Sequence, residues 1–186
     1  MKYEPLTSDS FFHIYNCGNN KEDIFKESKN YNFFLTLMKR HILPTCDILA
    51  YCLLKNHFHW LIKTKDNLES TQISQSFSNF FNSYSKSINK SYQRSGSLFK
   101  DRFSRIKIDN ESYLEDLIVY IHLNSKHHEF VEDFKSYKYS SYNSILSHKP
   151  TLLLRNEIIN LFEDRENFVF VHKTKQLQLD EKLVLE

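Results

Sequence analysis

The sequence predicts an α+β protein: a ferredoxin-like split βαβ antiparallel sheet with helices on one face, followed by a C-terminal helical appendage. Three observations predict it. Short aromatic or β-branched runs alternate with helix-period stripes in the order β-α-β-β-α-β-α. The 186 residues suit one domain, with room for an appended piece. Apolar residues make up 40% of the chain and aromatics 15%, enough large side chains to build a core.

Each element has its own signal. Residues 11–16 (FFHIYN) are aromatic and β-branched and give way to the turn-rich cluster 16–20 (NCGNN), which predicts a first strand. From about Lys26 to His41, Tyr31, Phe34, Leu35 and Met38 fall at helical spacing, and Pro44 marks the end. Residues 46–55 form a nearly continuous apolar run and 57–63 alternate, so two strands joined tightly at Lys55 and Asn56 are predicted. Between Asn67 and Arg94, Ile73, Phe77, Phe81, Tyr84, Ile88 and Tyr92 recur every three or four residues, with Ser, Asn and Lys on the outer face: a long amphipathic helix. Residues 103–108 read as a short basic strand. Asp109 or Asn110 can cap a helix striped by Leu114, Leu117, Ile118 and Ile121. These elements make one expected domain, residues 1–148, and residues 149–186 an appendage and tail.

Composition excludes several function classes. The only two glycines, Gly18 and Gly96, stand far apart, so a phosphate-cradling glycine loop of the Walker or Rossmann kind is ruled out. Residues 1–9 lack the apolar core of a secretion signal, and no 18 consecutive residues avoid charge; the expected location is cytoplasmic. Cys17, Cys46 and Cys52 show no CxxC spacing and read as reduced packing residues. Nine histidines are unusual. Any phosphate chemistry here has to come from side chains, with or without a metal.

Three groups of residues carry candidate chemistry. His57 and His59 flank Phe58 in a strand, so both imidazoles project from one face while Phe58, Trp60 and Ile62 take the other. Such a pair can close on one cation, although an HxH in a strand is more often two hydrogen-bonded, partly buried histidines. Tyr120 and Asn124, one helical turn apart at the edge of an apolar stripe, point into one space. A phenol beside an amide oxygen can place a nucleophile next to a metal ligand, and two His with one Asn suit Mg²⁺ or Mn²⁺; a tyrosine at the rim of a core is the plainer reading. Between positions 86 and 107, Lys86, Lys90, Arg94, Lys100, Arg102, Arg105 and Lys107 face only Asp101, with Tyr92, Phe99 and Phe103 interleaved. That pattern can track a phosphate backbone and stack unpaired bases, or simply be a solvated face. His122, His127 and His128 read as surface residues.

In five stretches the chain resembles the single-tyrosine HUH transposases, and most closely their REP-associated branch. They are residues 13–20 (HIYNCGNN), 53–62 (LLKNHFHWLI), 96–103 (GSLFKDRF), 120–124 (YIHLN) and 139–142 (YSSY). The resemblance implies that His57, His59 and Asn124 bind a divalent metal and that Tyr120 is the nucleophile. It also implies a 5′-phosphotyrosine product with a free 3′-OH, and single-stranded DNA with hairpin structure as substrate. The acting species is expected to be a monomer or homodimer without membrane contact. Lys55 and Ser125 stand where prolines are common in the family, and Cys17 where a basic residue is frequent.

Other classes remain open at this point. A hairpin-binding regulator would keep the fold and the basic surface without cleavage. A structural or metal-storage protein would leave the basic segment unexplained, and a two-histidine phosphodiesterase would need a second strand motif. From position 151 to the end, five basic residues against seven acidic ones make the appendage a poor DNA contact, better suited to packing on the domain. The net +2 therefore hides a basic segment and an acidic tail.

Overall fold

The computed structural model describes residues 4–183; residues 1–3 and 184–186, at the start of the N-terminal stretch and the end of the acidic tail, lie outside the described residues. Four strands form one sheet: β1 (Phe11–Cys17), β2 (Cys46–Leu54), β3 (His57–Thr64) and β4 (Ser104–Ile108), in the order β2-β3-β1-β4. Every pairing is antiparallel. α1 (Ser28–His41) joins β1 to β2 and α2 (Ser70–Ser91) joins β3 to β4, each crossing over the strand that separates its two ends. This is the split βαβ arrangement that the order of elements predicts.

Local chemistry sets the helix ends. The Asn30 side-chain oxygen accepts from the backbone N–H groups of Lys26 and Glu27, so α1 begins at Ser28. Gln72 does the same for the N–H of Glu69, the N-cap of α2.

The predicted placement of helices holds for α1 and α2 only. They cover one face, where Phe34, Phe77, Phe80 and Tyr84 pack on Phe12, Ile14, Phe58, Trp60 and Ile62. The opposite face is covered by α3 (Glu111–His127), whose Leu114, Leu117, Ile118 and Ile121 meet Ala50, Cys52, Leu54 and Leu61. A stripe on a helix says how wide its buried side is; it does not say which side of the sheet receives it. A sheet buried on both faces needs apolar residues at successive positions. In β2 a bulge between Ile48 and Ala50 adds one residue, so Cys46 and Ile48 join the first core while Leu49, Ala50, Cys52 and Leu54 join the second.

Beyond α3 the chain returns along the free edge of β2. Leu53 N–H donates to the Tyr139 carbonyl at 3.0 Å and Ser141 N–H to that of Tyr51 at 2.9 Å, while Tyr139 stacks on Tyr31 with centroids 3.6 Å apart. α4 (Tyr142–Leu146), α5 (Arg155–Leu161) and α6 (Arg165–Leu183) complete the second core, to which Ile158, Phe162 and Phe168 contribute. The residues after 148 thus pack behind α3. Among the described residues no helix is long and apolar enough to cross a membrane.

Candidate active site

The two strand histidines emerge on the face that carries α3. Their rings stand 5.4 Å apart, centroid to centroid, and nearly perpendicular, at 87°. β1 runs beside them in a register that sets Tyr15 opposite His59 and Cys17 opposite His57. On α3, Tyr120 lies edge-on to His59 at 5.7 Å, and His128, just past the helix end, lies edge-on to His57 at 4.5 Å. Asn124 follows Tyr120 by one helical turn on the same face of α3.

Two of these side chains carry buried acceptors without a partner among the described residues. His57 donates from Nδ1 to the Oδ1 of Asn56 at 2.7 Å, which leaves Nε2 as a lone pair; that atom is buried with no partner among the described residues. Asn124 is fully buried and donates its amide N–H to the Tyr120 carbonyl at 2.9 Å, and its Oδ1 is likewise buried and unpartnered. Orphaned buried acceptors are costly, and each of these two is open to a ligand. Burial, with His128 a lesser cause, lowers the pKa of His57 to about 4; burial, then the neighbouring His13, His57 and His128, lowers that of His59 to about 2. Both are neutral at pH 7, the form that binds metals.

The residues present fit a divalent cation: two neutral imidazoles and one unpartnered amide oxygen. Among the described residues no three His, Cys, Asp or Glu side chains gather into a metal-binding group, so an amide would have to supply the third donor. Tyr120 is 43% exposed and lines a cavity of about 560 Å³. Tyr15, Cys17, His57, His59 and His128 share that cavity with Lys100 and Arg102.

A second cavity of about 450 Å³ adjoins it across Asn16, Lys100, Asp101 and Arg102. Its far wall is the polar face of α2, with Ser74, Ser78, Asn82 and Ser85, and its lining includes Phe81, Phe99, Phe103 and Arg105. The loop between α2 and β4 is thus the partition between two hollows.

The seven basic residues do not form one surface. Lys100, Arg102 and Arg105 line the cavities, and Lys86 and Lys90 lie exposed on α2. Lys107 pairs with Asp109 at 3.5 Å. Arg94, only 13% exposed, binds Glu22 through Nε and Nη2 and Asn89 through Nη1, tying the end of α2 to the turn after β1.

Several histidines and one cysteine fall where the sequence did not place them. His122 is fully buried rather than on the surface, bonded to His172 at 2.8 Å and to Ser141 at 2.7 Å. His127 and His128 are exposed as expected, and His128 also lines the cavity. Cys46 and Cys52 are packing residues, but Cys17 lines the cavity beside His57. His13 had no assigned role; its Nε2 lies 3.0 Å from Nδ1 of His59.

The family model described as Transposase IS200-like matches residues 7–124, a stretch that contains His13, His57, His59, Tyr120 and Asn124. No curated protein sequence matches the chain. A solved structure, described as the REP-associated tyrosine transposase bound to a REP hairpin, is similar with a TM-score of 0.65. Its identity is 14%, and the alignment covers 81% of this chain and 87% of that one. At that identity the likeness concerns the fold.

Proposed function

The chain belongs to the IS200-like transposase family, and from that premise we propose that it is a metal-dependent single-strand DNA endonuclease and strand transferase. It acts next to DNA hairpins through a 5′-phosphotyrosine intermediate. The observation that carries this reading is the exposed Tyr120, set edge-on against His59 and lining a cavity with Lys100 and Arg102.

His57, His59 and Asn124 would hold Mg²⁺ or Mn²⁺. Bound there, the cation supplies the charge that neutralises the scissile phosphate's oxygens and makes phosphorus electrophilic. Tyr120 supplies the attacking oxygen. Its Oη–P bond forms as the P–O3′ bond breaks, the phenol proton passes to water, and the departing O3′ takes up a proton from water. One phosphate ester replaces another, so a second strand's 3′-OH can reverse the step without ATP. That economy agrees with a chain holding too few glycines for a nucleotide loop. Anchoring on α3, packed against the sheet, restricts Tyr120 to a narrow range of approach, which favours in-line attack.

Lys100 and Arg102 lower the cost of bringing phosphates past the histidines, and the polar hollow beside α2 gives the adjoining single strand a path. Residues 1–148 are the catalytic unit, and the segment from 149 onward braces α3 from behind. The setting is the cytoplasm, with the protein nucleoid-associated when bound to DNA.

The test is a hairpin-bearing single strand labelled on the 3′ side of the cleavage point, mixed with protein and Mn²⁺ and run on a denaturing gel. A covalent protein–DNA band is expected. Hairpin binding with no band under any divalent metal would favour a regulator without cleavage activity.

A further inference from the structure

β1 carries a buried polar residue that the reaction as described leaves unused. His13 is 7% exposed, on a sheet face where its strand partners on either side are Leu61 and Ile106 and the preceding same-face residue is Phe11. Burying an imidazole among apolar neighbours is unfavourable unless it is hydrogen-bonded. Its bonded partner is the Nδ1 of His59, 3.0 Å from its own Nε2. Tyr15 packs on both rings, with centroids 5.0 Å from His13 and 5.5 Å from His59, so the pair is held in place.

One proton lies between those two nitrogens, and its position decides what His59 offers. If His13 held it, His59 would turn an Nε2–H outward and repel a cation. If His59 holds it, Nε2 is a lone pair. For His57 the question is already answered, because the Oδ1 of Asn56 can only accept and so fixes the proton on Nδ1. A cation shared by both histidines requires the same tautomer at His59. We propose that His13 is a positioning residue for the cation site: it accepts the Nδ1–H of His59 and thereby holds Nε2 bare and the ring in its ligating orientation. This rests on the reading of His57 and His59 as cation ligands.

Mn²⁺ titration of the full chain tests it, with His13→Phe removing the acceptor and His13→Gln restoring one through its side-chain oxygen. Outer-shell partners of metal-bound histidines are worth about 10–100-fold in affinity. His13→Phe should weaken Mn²⁺ binding by about that factor while remaining folded, and His13→Gln should recover most of it. Nitrogen-resolved NMR of the metal-free wild type should show His59 protonated at Nδ1 and bare at Nε2. The opposite tautomer, or His13→Phe binding Mn²⁺ as tightly as wild type, overturns the proposal. A His57→Ala, His59→Ala double variant separates the two levels. If it loses Mn²⁺ and His13→Phe does not, only the role of His13 falls; if it binds undiminished, or the wild type binds none, the ligand reading falls as well.

Discussion

Tyr120 meets His59 edge to face, ring centroids 5.7 Å apart and planes at 84°, although the two residues come from a helix and a strand and are 61 positions apart in sequence. Among the described residues no group hydrogen-bonds the phenol oxygen, and Tyr120 is 43% exposed, so the residue can be altered without disturbing the core. Tyr120→Phe is expected to stay within about 0.5 kcal/mol of wild-type stability, as for most exposed substitutions. It should bind hairpin DNA within about threefold of wild type and form no covalent adduct. Chemical denaturation, a binding isotherm and a denaturing gel check the three statements.

The basic residues should separate by partner. Lys100 and Arg102 line the cavity, so replacing either with Ala should reduce the slope of log affinity against log salt by about 0.7, the single-strand value per phosphate contact. Arg94 is engaged with Glu22 and Asn89, so Arg94→Ala should lower thermal stability and leave that slope unchanged. Binding isotherms at four salt concentrations decide between these outcomes.

Stability should fall with acidity through the histidine network behind α3. Burial lowers the pKa of His172 to about 4, and burial, then His172, holds His122 well below the ordinary 6.5. The folded state therefore binds fewer protons than the unfolded chain between pH 6.5 and about 4, so stability is present above 6.5 and lost as pH falls through that window. A fully engaged histidine contributes about 1.4 kcal/mol per pH unit there. Urea midpoints at pH 7.5, 5.5 and 4.5 should drop steeply, and less steeply in His172→Phe. A flat wild-type profile would contradict the account.

Gly18 is one of only two glycines, and its reason is a close approach. A Cβ there would sit 1.9 Å from the carbonyl oxygen of Glu22, while its N–H donates to the Asn56 carbonyl at 2.8 Å. Gly18→Ala should cost about 1–3 kcal/mol, the usual range for overpacking, read from thermal or denaturant melts. Because Asn56 also holds His57, Mn²⁺ affinity should fall in the same variant.

Strand alternation made the shared face of His57 and His59 readable, since a period of two puts both rings on one side whatever the strand packs against. Tyr120 and Asn124 were readable for the corresponding helical reason. His13 was not, because its bond to His59 depends on the register between β1 and β3, which no local pattern states. His122 follows Ile118 by four residues and so lies on the buried stripe, but its partners Ser141 and His172 are 19 and 50 positions away. Arg94 looked like a DNA contact because Glu22, which neutralises it, is 72 residues distant. The second covered face escaped for want of any signal about which side of the sheet α3 takes. The bulge in β2 did leave a trace, the nearly continuous apolar run at 46–54.

The most direct test of the central claim is mass spectrometry of the covalent product after protease and nuclease digestion. The account predicts one modified peptide, with a 5′-phosphonucleotide esterified to the oxygen of Tyr120 and a free 3′-OH on the released strand. A nucleotide attached to any other residue, or a free 5′-phosphate with no protein-linked DNA, would contradict it.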